Sequence, residues 1–282
     1  MLPLSFSDTT LTHFIIPQLL ARSTVALMGS MYTKEQCAGA QSLQVPPLIA
    51  LLSEGSMTAK ENSARTLGNL AAGSDVQCGV IVDAGAVPAL VALLSEGSIT
   101  TKENSAAALG NLAAGSDDRR GVIVDAGAVP ALVALLSEGS ITAKENSAMA
   151  LGNLAYGSDD QCGVIVDAGA VPALVAPLSE GSMTAKENSA AALGNLAAGS
   201  NVQCGVIVDA GAVPALVALL SEGSITTKEN SAAALGNLAA GSDDRRGVIV
   251  DAGAVPALVA VLSEGSMTAK KNGARALGNL AA

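Results

Sequence analysis

The chain offers few side chains that could act in catalysis or bind a metal. His13 is its only histidine, so a Ser–His–Asp or Cys–His catalytic pair would depend on that one residue. Aspartate pairs recur at Asp117–Asp118, Asp159–Asp160 and Asp243–Asp244. A calcium loop needs oxygen ligands spaced along a loop, and none follow these pairs. Adjacent acids at the start of a helix are typical of caps. We therefore predict no catalytic residue, no metal site and no cofactor.

Asparagine is the polar residue that recurs in register. The main column consists of Asn69, Asn111, Asn153, Asn195, Asn237 and Asn279. A second column, seven residues upstream, consists of Asn62, Asn104, Asn146, Asn188 and Asn230. A side-chain amide has two N–H donors and an acceptor, so it suits either a partner's main chain or the backbone of a neighbouring element. We predict peptide contact for the main column and leave the second column open between these two roles.

Glutamates stand directly before the second asparagine column. They are Glu61, Glu103, Glu145, Glu187 and Glu229. They could lie beside a binding groove, or they could complete a capping box in which Thr100 caps a helix and Glu103 returns a bond. We favour the capping box.

A repeat of 42 residues positions all of these columns. Its first glycine recurs at Gly79, Gly121, Gly163, Gly205 and Gly247 without insertion or deletion. A fixed period in this range is typical of a solenoid. The complete units are 74–115, 116–157, 158–199, 200–241 and 242–282. Residues 76–134 and 202–260 are identical at all 59 positions, which indicates that a block of three units was copied.

Each unit reads as three helices. We expect a short first helix over 76–84, a turn at Gly85, a second helix starting near Pro88, and a third helix from Thr100 to Gly115. On the third helix Asn104 and Asn111 lie within about 20° of each other, opposite the Leu/Ala face. The alternative is that GVIVDAGAVPAL forms a strand followed by a glycine turn, but a dinucleotide fingerprint would need three spaced glycines.

The motif GAVPALVALL followed by AAALGNLA, three helices in 42 residues, resembles the armadillo repeat. The resemblance covers about residues 13–282 and is strongest to vacuolar armadillo proteins and to the arrays of plant U-box proteins. It implies an all-α, right-handed α-solenoid whose third helices line a concave groove. It also implies that the asparagine near the end of each third helix bonds the backbone of an extended partner.

Departures from the family narrow this expectation. Importin-α relatives carry Trp four residues before the asparagine, whereas this chain has Arg65, Ala107, Met149, Ala191, Ala233 and Arg275 there and contains no Trp. Nuclear-import adaptor function is therefore not expected. We also expect no aromatic anchor in the groove, so that each single contact with a partner is weak.

The N-terminal part is less regular than the rest. We predict a tail at residues 1–12 and partial or degenerate repeats over 13–73. The start lacks the basic segment of a secretory signal, and Leu2 stands where myristoylation needs glycine. Because Asp, Gly or Glu interrupts every apolar run, no direct membrane insertion is expected.

The net charge limits which partners are expected, and the placement of the cysteines indicates a cellular compartment. The net charge is −10 and no basic stripe is present, so nucleic acid is not expected as a partner. The cysteines Cys78, Cys162 and Cys204 occupy the same position in different units, and with Cys37 we predict all four to be unpaired. A reduced compartment, the cytoplasm or the nucleus, follows.

These observations predict a non-catalytic scaffold that binds neutral or basic extended segments of other proteins. Two alternatives stay open. One is the substrate-recruiting part of a ubiquitin ligase, and the other is a truncated copy without function.

Overall fold

The computed structural model describes residues 44–282, which form 17 helices and no strand. The predicted tail at 1–12, the degenerate repeat that follows it, His13 and Cys37 lie outside the described residues. The all-helical prediction is confirmed, and the strand alternative for GVIVDAGAVPAL is wrong, because these residues form two helices in every unit.

Helices of the same rank recur at the same place in each unit. The first helices are Asp75–Asp83, Asp117–Asp125, Asp159–Asp167, Asn201–Asp209 and Asp243–Asp251. The second helices are Val45–Glu54, Ala86–Glu96, Ala128–Glu138, Ala170–Glu180, Ala212–Glu222 and Ala254–Glu264. The third helices are Met57–Gly73, Ile99–Ala113, Ile141–Leu154, Met183–Ala197, Ile225–Ala239 and Met267–Ala281.

The bend between the first and second helices depends on one glycine per unit. Gly85 has a φ of 81°, in the left-handed region that glycine adopts without a Cβ penalty. The chain turns there by 84°, and the second helix begins at Ala86. Pro88 is the third residue of that helix, in the first turn, where its missing N–H costs no helical hydrogen bond.

The third helices form one layer, in which each packs against its counterpart in the next unit. Small residues allow close approach: a Cβ placed on Gly68 would lie 3.4 Å from the Cα of Ala108, and one on Gly152 would lie 3.2 Å from the Cα of Ala192. The opposite side of the layer is buried against the second helices through leucines such as Leu109 and Leu112. The helical-wheel prediction of a Leu/Ala core face is therefore confirmed.

Pro177 does not interrupt its helix. A proline inside a helix usually kinks or unwinds it, yet Ala170–Glu180 is 11 residues long, the same length as the second helix Ala128–Glu138. Pro177 is buried where other units hold Leu93, Leu135 or Leu219. Packing against the neighbouring helices thus keeps the helix continuous despite the hydrogen bond that proline cannot donate.

Among the described residues, no single helix has both the length and the apolar character needed to cross a membrane. Five adjoining pairs of first and second helices, bent by 74–84°, reach that length and composition only when taken together.

Candidate functional site

Serines, rather than the expected threonines, cap the third helices. The Ser98 hydroxyl accepts a hydrogen bond from the backbone N–H of Thr101 at 3.1 Å, so the helix begins at Ile99. Glu103 then lies in the second turn, too far along the helix to complete a capping box. The predicted capping box is therefore wrong, because the helix starts earlier than its threonines suggested.

The glutamate column links successive units instead. The Ser140 hydroxyl donates to Glu103 Oε1 at 2.5 Å, from the cap of one third helix to the body of the preceding one. The same bond, at 2.5–2.6 Å, joins Ser98 to Glu61, Ser224 to Glu187 and Ser266 to Glu229. Ser182 donates likewise to Glu145. Each cap is thus tied to the unit before it.

The main asparagine column also bonds between units. Asn111 Nδ2 donates to the backbone carbonyl of Gly68, the matching end of the preceding third helix, at 3.0 Å. The equivalent bonds, at 2.8–2.9 Å, run from Asn153 to Gly110, Asn195 to Gly152, Asn237 to Gly194 and Asn279 to Gly236. Asn69, in the first described third helix, is exposed.

The upstream column repeats this arrangement two turns earlier. Asn104 Nδ2 donates to the carbonyl of Glu61 at 3.1 Å. Bonds of 2.9–3.0 Å run from Asn146 to Glu103, Asn188 to Glu145 and Asn230 to Glu187. Asn272 also belongs to this column, because it donates to the carbonyl of Glu229 at 3.0 Å. In the other units this asparagine follows a glutamate, but Asn272 follows Lys271, so the sequence pattern alone does not assign it to the column.

These bonds leave part of each amide unused. One N–H of the side chain is engaged by the neighbouring helix, so the second N–H and Oδ1 remain for another group. The main column is half-buried from Asn111 onward, at the solvent-facing side of the third-helix layer. We call this side the ladder face and define it by the two asparagine columns together with the residues four before and three after each main-column asparagine.

Arginine 275 fills one of these free positions. Its Nη1 donates to Asn237 Oδ1 at 2.8 Å, and its Nη2 donates to the carbonyl of Ala233 at 3.2 Å. Arg275 is exposed and comes from the unit that follows Asn237. The ladder face can therefore accept a guanidinium through one amide oxygen and one backbone carbonyl.

Tyr156 and Met149 also lie on the ladder face, and Tyr156 contradicts the expectation that the groove holds no aromatic anchor. The Tyr156 side chain is 63% exposed, and its ring centroid lies 5.6 Å from the guanidinium carbon of Arg120. Met149 is half-buried one turn before Asn153. The sequence signal was available, because every other unit has alanine where Tyr156 stands.

The aspartate pairs lie next to the caps of the first helices. Ser116 caps the first helix of its unit by accepting from the N–H of Arg119 at 3.3 Å. The aspartate pairs therefore occupy the first helical turn instead of the cap position that we predicted for them, where their charge favours the helix dipole. Asp117 forms an ion pair with Arg120. In the described part of the chain, no three His, Cys, Asp or Glu side chains form a group that could hold a metal ion.

The three cysteines within the described residues are free, as predicted, and they are also buried. The Cys162 thiol donates to the carbonyl of Ala155 at 3.1 Å. Burial raises the pKa of Cys162 to about 11, and it raises the pKa of Cys78 and Cys204 as well. Because the thiolate is the reactive form, these side chains are poor nucleophiles.

The chain is a stack of three-helix units, and its third-helix layer has a polar outer face. This architecture is that of an α-solenoid. The model of the Armadillo/beta-catenin-like repeat matches residues 45–72, 74–114, 116–156, 158–198, 200–240 and 242–282. The chain therefore belongs to the armadillo repeat family. No curated protein shows significant sequence similarity to it.

Solved structures of designed proteins resemble the chain along most of its length. The designed armadillo repeat protein YIII(Dq)4CqI is 33% identical with a TM-score of 0.80, and the match covers 84% of this chain and 99% of that one. An engineered protein is 36% identical with a TM-score of 0.81, covering 84% and 96%. A designed armadillo repeat protein in complex with the peptide (KR)4 is 29% identical with a TM-score of 0.78, covering 84% and 99%.

Proposed function

We propose that the ladder face binds extended, basic segments of partner proteins and that the chain is a non-catalytic scaffold. The observation that carries this proposal is the seat of Arg275 on Asn237 and Ala233. A guanidinium from the chain itself occupies the position that a partner's Arg or Lys would take at the equivalent asparagines of other units. A charged donor on such acceptors forms a stronger hydrogen bond than a neutral one.

The asparagine amides support contact with the partner's main chain. After the bond to the preceding helix, each still has one donor and one acceptor, which match the C=O and N–H of an extended backbone. Asn111, Asn153 and Asn195 offer three such positions in adjacent units. The family resemblance further implies that this face is the concave one.

Charge supports a basic partner. The chain has a net charge of −10, and the half-buried glutamates Glu103, Glu145 and Glu187 lie one residue before the upstream asparagines. A related designed armadillo protein binds the peptide (KR)4. The same face would serve in a ubiquitin ligase as the part that recruits substrates, as the resemblance to U-box arrays suggests, but the binding step is identical in either setting.

The test measures binding of a fluorescent (KR)4 peptide, with a (DE)4 peptide as control. We expect a dissociation constant in the micromolar range for (KR)4, about −8 kcal/mol. Replacing Arg275 by alanine removes the internal competitor and should tighten binding about threefold. The matched control is Arg246→Ala, which removes one positive charge from a first helix, where Arg246 pairs with Asp243.

Two results would overturn the proposal. Equal binding of the two peptides would show that the basic preference is absent. Equal strengthening by Arg275→Ala and Arg246→Ala would mean that overall charge, and not the ladder face, attracts the peptide.

A further inference from the structure

Most units present the same residues on the ladder face. Four residues before the main-column asparagine, three interior units have Ala107, Ala191 and Ala233. Three residues after it, the same units have Ala114, Ala198 and Ala240. A partner bound only through asparagines and glutamates would therefore gain nearly the same energy after a shift by one unit, and its register would be degenerate.

The unit 116–157 breaks this degeneracy. It carries Met149 and Tyr156 at these two positions. Met149 lies one turn before Asn153 on the third helix, and Tyr156 lies just beyond the end of that helix at Leu154, so the two side chains flank Asn153 along the chain. No other interior unit has a large side chain at either position.

Met149 leans toward the preceding unit, whereas Tyr156 contacts the first helix of its own unit. The Met149 Cε lies against Gly110, where an added Cβ would be only 2.7 Å away. Asn153 bonds the carbonyl of that same Gly110 at 2.9 Å. Tyr156 lies over the guanidinium of Arg120, which itself donates to the carbonyl of Gly115 at 3.0 Å. Met149 and Asn153 therefore contact unit 74–115 directly, and Tyr156 lies beside the arginine that bonds it.

The tyrosine ring lies over a buried arginine. The Arg120 side chain is 4% exposed, whereas Arg246, its equivalent in the last unit, is 19% exposed and has Ala282 where Arg120 has Tyr156. The contact with Arg120 restrains the ring in a defined place while most of its surface stays open. A restrained, exposed aromatic side chain is the kind of residue that anchors binding partners.

We propose that Met149 and Tyr156 form a seat for one large apolar side chain of the bound segment, and that this seat sets the segment's register along the array. The inference rests on the proposed function of the ladder face. A thioether and an aromatic ring suit an aliphatic or aromatic side chain. A second cation is disfavoured at the ring, because the positive charge of Arg120 already lies against it.

The test compares two peptides, a (KR)4 host with one central residue replaced by either phenylalanine or alanine. Both peptides lose the same charge, so their difference isolates the apolar side chain. On the unchanged protein the phenylalanine peptide should bind about fivefold more tightly. The double variant Met149→Ala/Tyr156→Ala should abolish this gain and leave the affinity for the alanine peptide within about twofold.

The double variant is a safe probe of the fold, because alanine is the residue that the interior units already carry at both positions. Register is read separately with a benzophenone residue in place of the phenylalanine. Cross-links should concentrate in the third helix of unit 116–157, whose sequence is unique in the chain. In the double variant they should spread over several units.

The outcomes separate the two proposals. If the unchanged protein binds no host peptide, the proposed function fails and this inference fails with it. If the host binds but phenylalanine brings no gain, or if the gain survives in the double variant, the ladder face stands and the seat is refuted. Cross-links spread evenly over the units of the unchanged protein would also refute it.

Discussion

Replacing Asn111, Asn153 and Asn195 together by alanine removes three hydrogen bonds between successive third helices, of 3.0, 2.9 and 2.9 Å. Each such bond contributes about 1 kcal/mol net. Alanine offsets about 0.5 kcal/mol of this at each site through its higher helix propensity. We therefore expect the free energy of unfolding to fall by about 1.5 kcal/mol, with the helical content of the folded state unchanged.

The assay is urea unfolding followed by circular dichroism at the helical band. With a urea slope of about 3 kcal/mol per molar, the midpoint should fall by about 0.5 M. Asn69→Ala is the matched control, because it makes the same substitution at the same helix position on an exposed side chain. Because this control loses no bond between helices, its midpoint should rise slightly, by about 0.2 M, through helix propensity alone. A triple variant that unfolds at the original midpoint, or an equal shift in the control, would refute the structural role of these amides.

Four further substitutions should alter stability. Pro177→Leu restores the helical hydrogen bond at a buried position and should raise the unfolding free energy by about 2–3 kcal/mol, while Leu135→Pro should lower it by a similar amount. Ser147→Ala should stabilise by about 1 kcal/mol, because this fully buried hydroxyl has no hydrogen-bond partner among the described residues. Between pH 9.0 and about 11 the unfolded Cys162 thiol ionises before the folded one, so stability should fall with pH, and less so in Cys162→Ala.

Urea midpoints measure the effect of all four substitutions. A Pro177→Leu variant no more stable than the original would mean that the neighbouring helices have adapted to the proline. An unstable Ser147→Ala variant would show that the hydroxyl has a favourable interaction. The urea midpoints of Cys162→Ala and of the unchanged protein are compared at pH 8 and pH 10.5. An equal fall in both would show that the Cys162 thiol does not contribute to the loss of stability at alkaline pH.

The period and composition predicted the architecture, because the 42-residue spacing leaves only a repeat array and Gly85 marks the turn in each unit. Helix starts were predicted less well. Thr100 and Ser98 both have a capping hydroxyl, and local sequence does not decide between them. The choice of Ser98 follows from the neighbouring unit, because the equivalent serines also donate to the glutamate of the preceding helix.

For the candidate site, the sequence predicted which asparagines share a face but not what they touch. A helical wheel gives the direction of Asn111, whereas the acceptor at Gly68 is 43 residues away, on the helix packed against it, and no local pattern identifies it. Tyr156 was missed for a different reason. Its significance lies in the contrast with the alanines of the other units, and a motif read on a consensus unit does not contain that contrast.

Each asparagine of the main column contributes both to stability and to the proposed binding, so the two properties are coupled. One N–H of each amide fixes the neighbouring helix, and this bond orients the remaining N–H and Oδ1 toward the ladder face. A bound segment would then find its partners already oriented and would lose less entropy on binding. By the same linkage, a segment bound across several units stabilises the contacts between them, because it binds only when successive third helices are in register. Loss of an amide therefore weakens binding twice, through the missing contact and through the looser register of the units that remain.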